Sequence, residues 1–446
     1  MLKEGVLDRV LLQIKKLIPK SVFNFFAPMY HSALAYLGAF LYGFPSRSMK
    51  VIGVTGTKGK STVVFLTAKI LEGALRQAQG DSGGVAAIGS LGFKIKDKEW
   101  PNTLKMTMPG RFRLQKFLAE AKRAGCKYVV LEVTSEGIKQ KRHLGIDFDC
   151  AVFTNLHKEH IESHGSFEKY YQAKQELFKR TKNIQVLNAD DPNIELFGNF
   201  QAEHKIFFGF KKGDIVPQNI RLSDSGSSFD VYGTHFNINL AGEFNIMNCL
   251  AVLAVGAMYK VDLPTAKPLL ESVKSIPGRM EFVKREPFAV VVDYAHTPDS
   301  LEQVYKTLKG SPPSHKASED KTQISQRLIC VLGAAGGGRD KWKRPEFGRI
   351  AAQYCDEIIL TNEDPYDENP LSIIKEIESG FPQSVIHNSK FVILLDRREA
   401  IKKAIDSAQS GDTVIITGKG SESSMAIGGG KKIPWSDKKA AEELAL

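Results

Sequence analysis

The stretch Val51–Thr62 (VIGVTGTKGKST) constrains the fold of this chain more than any other. A short apolar run, Val51–Val54, enters a turn rich in glycine and threonine. Lys60, Ser61 and Thr62 follow, and then a helical pattern, VVFLTAKILEGAL. Strand, glycine turn and helix in that order make a phosphate loop. The glycines let main-chain N–H groups converge on an anion, and the helix N-terminus adds partial positive charge. Lys60 is spaced to reach outer phosphates and the Ser61 hydroxyl to sit on Mg²⁺. The general pattern G-x-x-x-x-G-K-[ST] needs a glycine where Val54 stands, so the loop is a variant, T-G-T-x-G-K-S.

The chain has 446 residues, too many for one ordinary core, so two or three domains are expected. Residues 49–277 alternate strand and helix patterns. Lys127–Val133 is a buried strand ending in Glu132, Thr134 and Ser135. Cys150–Leu156 ends in TNL, and Ile184–Ala189 ends in NADD. Arg111–Ala124 and Asn245–Met258 read as helices, and 205–240 as short β segments. Residues 278–446 repeat the logic with four strands, Pro287–Asp293, Leu328–Gly333, Glu357–Thr361 and Thr413–Thr417, each entering a polar or glycine-rich turn. The expectation is an α/β chain of two doubly wound, mainly parallel sheets after a helical segment, 1–48. Ligands bind at the carboxyl ends of such strands. Ser311–Gln326 reads as a disordered surface loop.

Residues 1–20 read as an amphipathic helix. Ser21–Ser46 carries no formal charge and is long enough to span a bilayer, but Asn24, Pro28 and His31 interrupt it. Helices packed on the next domain, a membrane-surface anchor and a true span remain open for it. The net charge of +11 is scattered, without an arginine-rich arm, and points to anionic small substrates rather than nucleic acid. Five cysteines, odd in number and without C-x-x-C, read as reduced core residues of a cytoplasmic protein.

Glu132 sits where a nucleoside triphosphatase places its carboxylate on the Mg²⁺ side. With Ser61 and His160 it makes a plausible hard-metal set. His157, His160 and His164 could instead form a zinc site on a helix, although Gly165 breaks it. Lys174 is out of place beside a metal as an ammonium, whereas a carbamate would present a carboxylate; a surface salt bridge is the plain alternative. Arg279 follows a Pro-Gly turn at the domain junction, Asp293 and His296 lie at a strand end, and Arg339 is placed to grip a carboxylate bidentately.

In order along the chain, VTGTKGKST, TMPG, LEVTSEGIKQKRH, FTNLHKEHIESHG, YYQAKQELF, LNADD, GEFNIMN, IPGRMEF, VVDYAHTPDSL, GAAGGGRDKWKRP and ITGKGSE resemble the Mur ligase family, nearest its UDP-N-acetylmuramoyl-tripeptide synthetase branch. The resemblance covers about residues 49–446. It implies an ATP-dependent amide ligase of peptidoglycan precursor synthesis that activates a muramoyl-dipeptide carboxylate as an acyl phosphate. By motif position, Thr55, Gly56, Thr57, Lys58, Gly59, Lys60, Ser61 and Thr62 would bind ATP phosphates, and Asn245, Arg279, Asp293 and His296 would contact ATP. Ser61, Glu132, His160 and carbamylated Lys174 would surround Mg²⁺, with Lys60, Lys174 and His160 as the catalytic set. Thr107, Met108, Thr134, Ser135, Gln140 and Arg142 would hold the acceptor. Arg339, Glu363, Asp364, Gly418 and Glu422 would hold the incoming amino acid. A monomer is implied, with small-molecule partners and a membrane contact allowed through 1–48.

Three departures stand out. The branch carries an N-terminal domain of roughly a hundred residues for the UDP end, where only residues 1–48 precede the loop strand here. The diaminopimelate pattern D-N-P-R falls on Glu363-Asp364-Pro365-Tyr366, so Tyr366 replaces the arginine for the distal carboxylate. Met108 replaces a threonine, and Ser421 replaces the histidine of G-K-G-H-E. A folylpolyglutamate synthase-like or other non-UDP ligase of the same fold, and a degenerate ATP-binding scaffold, are the competing readings.

Overall fold

The computed structural model describes residues 20–79, 84–104, 106–159, 161–223, 226–309, 327–387 and 390–445. The expected N-terminal amphipathic helix, the loop 311–326 and His160 lie outside these residues. The described chain divides into two compact units. The first comprises residues up to 157 with 168–216 and 248–269; the second comprises 158–167, 217–247 and 270–446.

The first unit is built on an eight-stranded sheet of β1 (Lys50–Thr55), β2 (Val85–Gly89), β3 (Gly92–Ile95), β4 (Lys98–Trp100), β5 (Tyr128–Glu132), β6 (Cys150–Phe153), β7 (Ile184–Asn188) and β8 (His204–Phe208). Its order is β4-β3-β2-β5-β1-β6-β7-β8. β3 and β4 run antiparallel at one edge and the other pairs are parallel. β2, β5, β6 and β7 are buried along their whole length, which is why they read as unbroken apolar runs rather than alternating ones. The sequence reading missed β2–β4, which are short and follow the loop after the helix Lys60–Gln79.

The apolar segment before β1 is a helix, Lys20–Leu41, packed on the helix Arg111–Arg123. Small residues make the contact: Ala35 and Ala39 are buried, and Gly38 lies against Phe112. This contact is the one the packed-helix reading expects, and among the described residues no helix is long and apolar enough to cross a membrane.

The second unit carries a three-stranded antiparallel sheet, β9 (Gln218–Leu222), β10 (Ser227–Val231) and β11 (Thr234–Ile238), and a six-stranded sheet. The latter contains β12 (Glu281–Lys284), β13 (Ala289–Asp293), β14 (Leu328–Leu332), β15 (Glu357–Leu360), β16 (Phe391–Ile393) and β17 (Thr413–Thr417), in the order β12-β13-β17-β14-β15-β16. Only β12 is antiparallel. The four expected strands are present; β12 and β16 are additions at the edges. Alternate residues feed two cores, with Val291, Cys330 and Ile415 facing one set of helices and Val290, Val292, Ile329 and Val331 facing the other. A hairpin of β18 (Ser424–Ile427) and β19 (Lys431–Pro434) follows.

One expectation about the cysteines fails. Cys330 on β14 and Cys355, just beyond the helix Lys343–Tyr354, form a disulfide across Cα atoms 6.0 Å apart. A strand–helix–strand connection brings its two ends together, and a sequence separation of 25 conceals that in the sequence. Cys126, Cys150 and Cys249 are free and buried, as expected.

Candidate functional site

In the first unit β1 ends at Thr55 and the helix begins at Lys60, so the intervening turn hangs at the carboxyl end of a central strand. Its glycines are required. Gly56 has φ +150°, and a Cβ there would lie 1.9 Å from Thr154 Oγ1; Gly59 has φ +77°, and a Cβ would lie 2.3 Å from Asn248 Oδ1. Amide and hydroxyl neighbours hold much of the turn. Asn155 Oδ1 accepts from the Lys58 N–H at 2.8 Å, and the Thr154 hydroxyl donates to Lys58 O at 2.6 Å. Thr57 Oγ1 meets the Tyr170 hydroxyl at 3.0 Å and accepts from the His157 N–H at 2.9 Å. Lys60 Nζ donates to Thr57 O at 2.7 Å, folded back over its own loop.

Ser61, in the first turn of the helix, and Glu132, at the end of β5, are both buried and come together: the hydroxyl donates to Glu132 Oε2 at 3.0 Å. Ser90, which the sequence reading did not single out, binds the same carboxylate through its N–H at 2.8 Å. Its hydroxyl also meets Thr107 Oγ1 at 3.1 Å, joining a loop residue assigned to the acceptor to the carboxylate assigned to the metal. A hydroxyl and a carboxylate sharing one hydrogen bond form a hard oxygen donor set that fits Mg²⁺. Lys174 is buried, with Nζ donating to Gly56 O at 2.6 Å over the Tyr170 ring, so it belongs to the loop's interior and not to an exposed salt bridge.

The residues expected to hold the acceptor lie in the same unit. Thr134 caps a short helix, Ser135–Lys139, by accepting from the Gly137 N–H, so its hydroxyl is partly engaged. Arg142 donates to Met108 O and to Gln140 Oε1. Met108 and Ser135 are buried beneath these groups. His157 is exposed in a loop and His164 is buried at the end of the short helix Ile161–His164, so these two histidines do not share a helix face.

In the second unit the strand order places the turn after β17 between those after β13 and β14. Gly278, with φ +61°, packs on Gly420 and Ser421 so closely that a Cβ would lie 2.1 Å from the Ser421 nitrogen. Arg279 lies over the Tyr294 ring at 4.4 Å. Asp293 accepts from the Met280 and Ala295 N–H groups, which ties its carboxylate to the main chain. His296 turns Nδ1 to Tyr294 O and Nε2 to Glu159, 3.5 Å away. Asn245 donates to Ala241 O at the start of its helix.

A buried charge network fills the remaining strand ends. Lys419 pairs with Asp364 at 2.9 Å and with Glu422. Burial opposes its charge, but Glu422 and Asp364 outweigh burial and hold its pKa above the ordinary lysine value. Glu363 lies against Gly418, whose added Cβ would come within 2.4 Å of its Oε2. Burial, only partly opposed by Arg397 and Lys419, pushes the Glu363 carboxyl up to about 7. Arg339 donates to the Tyr366 hydroxyl at 3.1 Å, and the Tyr366 ring packs on Gly337. Arg397 reaches Asp437 twice, at 2.8 and 2.7 Å, and Thr417 O. Lys419 falls inside the ITGKGSE motif without having been singled out there, and Arg397 and Asp437 carried no local sequence signal; the sheet order joins them.

Comparison with known proteins agrees with the motif order. The family description "Mur ligase middle domain" matches residues 54–256, and "Mur ligase, glutamate ligase domain" matches 278–420. The UDP-N-acetylmuramoyl-L-alanyl-D-glutamate–2,6-diaminopimelate ligase of Syntrophomonas wolfei is 36% identical over 427 residues, 94% of this chain and 82% of that protein. A solved structure of a ligase of the same name superposes with a TM-score of 0.58 at 30% identity, covering 89% of this chain and 78% of that one. The Mycobacterium tuberculosis folylpolyglutamate synthase shares the fold, with a TM-score of 0.66 at 17% identity over 86% of this chain and 92% of that one.

Proposed function

The chain belongs to the Mur ligase family, and from that premise we propose how its residues divide the work. It is an ATP-dependent acid–amino-acid ligase of the MurE kind, acting in peptidoglycan precursor synthesis. The observation that carries the reading is the pairing of Ser61 with Glu132 beside the loop that holds Lys60.

We assign residues 49–277 to ATP binding and 278–446 to the C-terminal domain. ATP phosphates lie along the N–H groups of Thr55–Thr62, with Lys60 swinging from Thr57 O to the outer phosphates. A carboxylate oxygen of a muramoyl-dipeptide acceptor, held by Thr107, Thr134, Gln140 and Arg142, attacks the terminal phosphorus. The bond to ADP breaks and an acyl phosphate forms. The amine of the incoming amino acid then attacks the acyl carbon and loses its proton, and the tetrahedral species expels inorganic phosphate. The protein's contribution is positioning and charge neutralisation. Ser61, Glu132, His160 and a carbamylated Lys174 would hold Mg²⁺, which when bound neutralises phosphate charge. The carbamate removes the repulsion a buried ammonium would exert there.

Arg339 receives the carboxylate of the amino acid. Tyr366, occupied with Arg339, supports an amino acid other than meso-diaminopimelate. The ligase works as a monomer in the cytoplasm. The helix Lys20–Leu41 leaves Met29, Phe40 and Leu41 exposed, which supports a peripheral contact of 1–48 with membrane.

The test is ADP release measured across carboxylate acceptors, with and without UDP, against a panel of amino acids. Lys60→Ala should abolish acceptor-dependent release; an unaffected rate sinks the loop assignment. Lys174→Ala, or bicarbonate removal, should cut activity, with partial rescue by added short carboxylates.

A further inference from the structure

The helix Arg111–Arg123 begins against the usual rule. Its first turn holds no acidic residue, and its N-cap, Gly110, offers no side-chain acceptor. Arg111 and Arg113 instead place positive charge at the positive end of the helix dipole, an unfavourable arrangement without an anion. A Cβ added at Gly110 would meet nothing within 4 Å, so the approach to the exposed N–H groups is open.

A second cation converges on this point. Arg142 is 8% exposed; it lies in the turn after the helix Ser135–Lys139 and donates to Met108 O of the loop entering the helix Arg111–Arg123. Arg111 donates to Gln140 O while Arg142 donates to Gln140 Oε1. Two guanidinium groups therefore share one residue, and among the described residues neither forms an ion pair within 4.0 Å. The Nε of each is buried without a hydrogen-bond partner. Burial first, and the Arg142 charge second, push the Arg111 pKa down to about 10. Glu136 opposes the effect of burial on Arg142, and an anion placed between the two guanidinium groups would offset their mutual repulsion directly.

We infer that Arg111 and Arg142, with the open N-terminus of the helix Arg111–Arg123, form an anion subsite for a carboxylate or phosphate group of the acceptor. The inference rests on the ligase reading, within which Arg142 already belongs to the acceptor; Arg111 extends that site. A guanidinium pair at a helix N-terminus suits an oxyanion with two or three acceptor oxygens. Both the diphosphate of a nucleotide-linked acceptor and a carboxylate of its peptide offer one.

Steady-state ADP release is measured with UDP-N-acetylmuramoyl-dipeptide and with the muramoyl-dipeptide lacking UDP. Arg111→Gln should raise the KM for acceptor at least about tenfold, leaving the KM for ATP within about twofold and kcat within about threefold. Arg111→Lys should recover part of that loss. Arg111→Met, which keeps the buried stem, serves if Arg111→Gln does not fold by circular dichroism. Loss with the UDP-linked acceptor alone supports the subsite and puts the diphosphate in it. Equal loss with both acceptors supports the subsite and puts the peptide carboxylate there. An active wild type whose acceptor KM survives both neutral substitutions overturns this inference alone. A wild type that turns over neither acceptor overturns the ligase reading, and this inference with it.

Discussion

The phosphate loop of the first unit and the strand-end network of the second reach order by opposite means. Thr55–Thr62 is one contiguous segment whose shape is set by two glycines with positive φ and by amide and hydroxyl partners such as Asn155, Thr154 and Tyr170. The network draws Glu363, Asp364, Arg397, Lys419, Glu422 and Asp437 from separate turns and helices, and its members hold one another by charge. The loop is shaped by its backbone's own neighbours, with the Thr57 and Lys58 N–H groups held by Asn155, and on the ligase reading it closes on a ligand. The network satisfies most of its charges internally, so its order survives without one. A buried charge is tolerable when its partners are in place, and breaking one pair exposes the desolvation cost of what remains.

The largest effect should come from removing the cation of that network. Lys419→Met leaves Asp364 and Glu422 with no ammonium between them and should destabilise the protein by about 3–5 kcal/mol. A thermal melt checks it, and a shift of less than a degree would break the contrast. The same substitution should not alter nucleotide affinity if the loop is ordered locally.

Glu363 gives a pH-dependent version of that test. Its carboxyl is raised from an ordinary value near 4.5 to about 7. Between those values the folded chain holds a proton that the unfolded chain has released, so stability falls as pH rises through the window. The full span corresponds to roughly 3 kcal/mol. Glu363→Gln should flatten the dependence of the urea midpoint on pH between 4.5 and 7; a slope equal to the wild type's contradicts the burial assigned to it.

The two units also differ in their thiols. Cys126, Cys150 and Cys249 of the first are free, whereas Cys330 and Cys355 of the second are paired. Reduction should cost roughly 3 kcal/mol for a closed loop of this length. Differential scanning calorimetry with and without reductant measures it, and thiol titration of the unreduced unfolded chain should find three groups.

The loop has its own substitution. Gly56→Ala forces a side chain into a backbone region it rarely adopts and against Thr154. ADP release should drop by about 100-fold, through misplaced N–H groups, with little change in the melt. A nearly normal rate would show that the loop needs less geometry than its glycines imply.

Much of the first region was legible. Strand, turn and helix were readable because a phosphate loop is encoded by neighbours in sequence, and the expected strand Val51–Val54 lies within β1. The carboxylate Glu132 was also legible, as the polar end of an apolar run. Ser90 and Asn155 were not, since a serine or asparagine in a turn is ordinary until the sheet brings it to a partner. In the second unit the strands were readable and their pairing was not. β17 is the last strand of its sheet in sequence, yet it lies between β13 and β14.

The sequence by itself determined the family, the ATP-dependent ligation and the local form of the phosphate loop, because each resides in short runs of residues whose backbone preferences are local. Only the tertiary structure decided that Cys330 meets Cys355, that Lys419 is held by Asp364 and Glu422, that Tyr366 occupies Arg339, and that Arg111 and Arg142 crowd together at a helix start. Those pairings join segments up to dozens of residues apart. They follow from strand order and helix packing, which burial of the whole core selects and no single segment specifies.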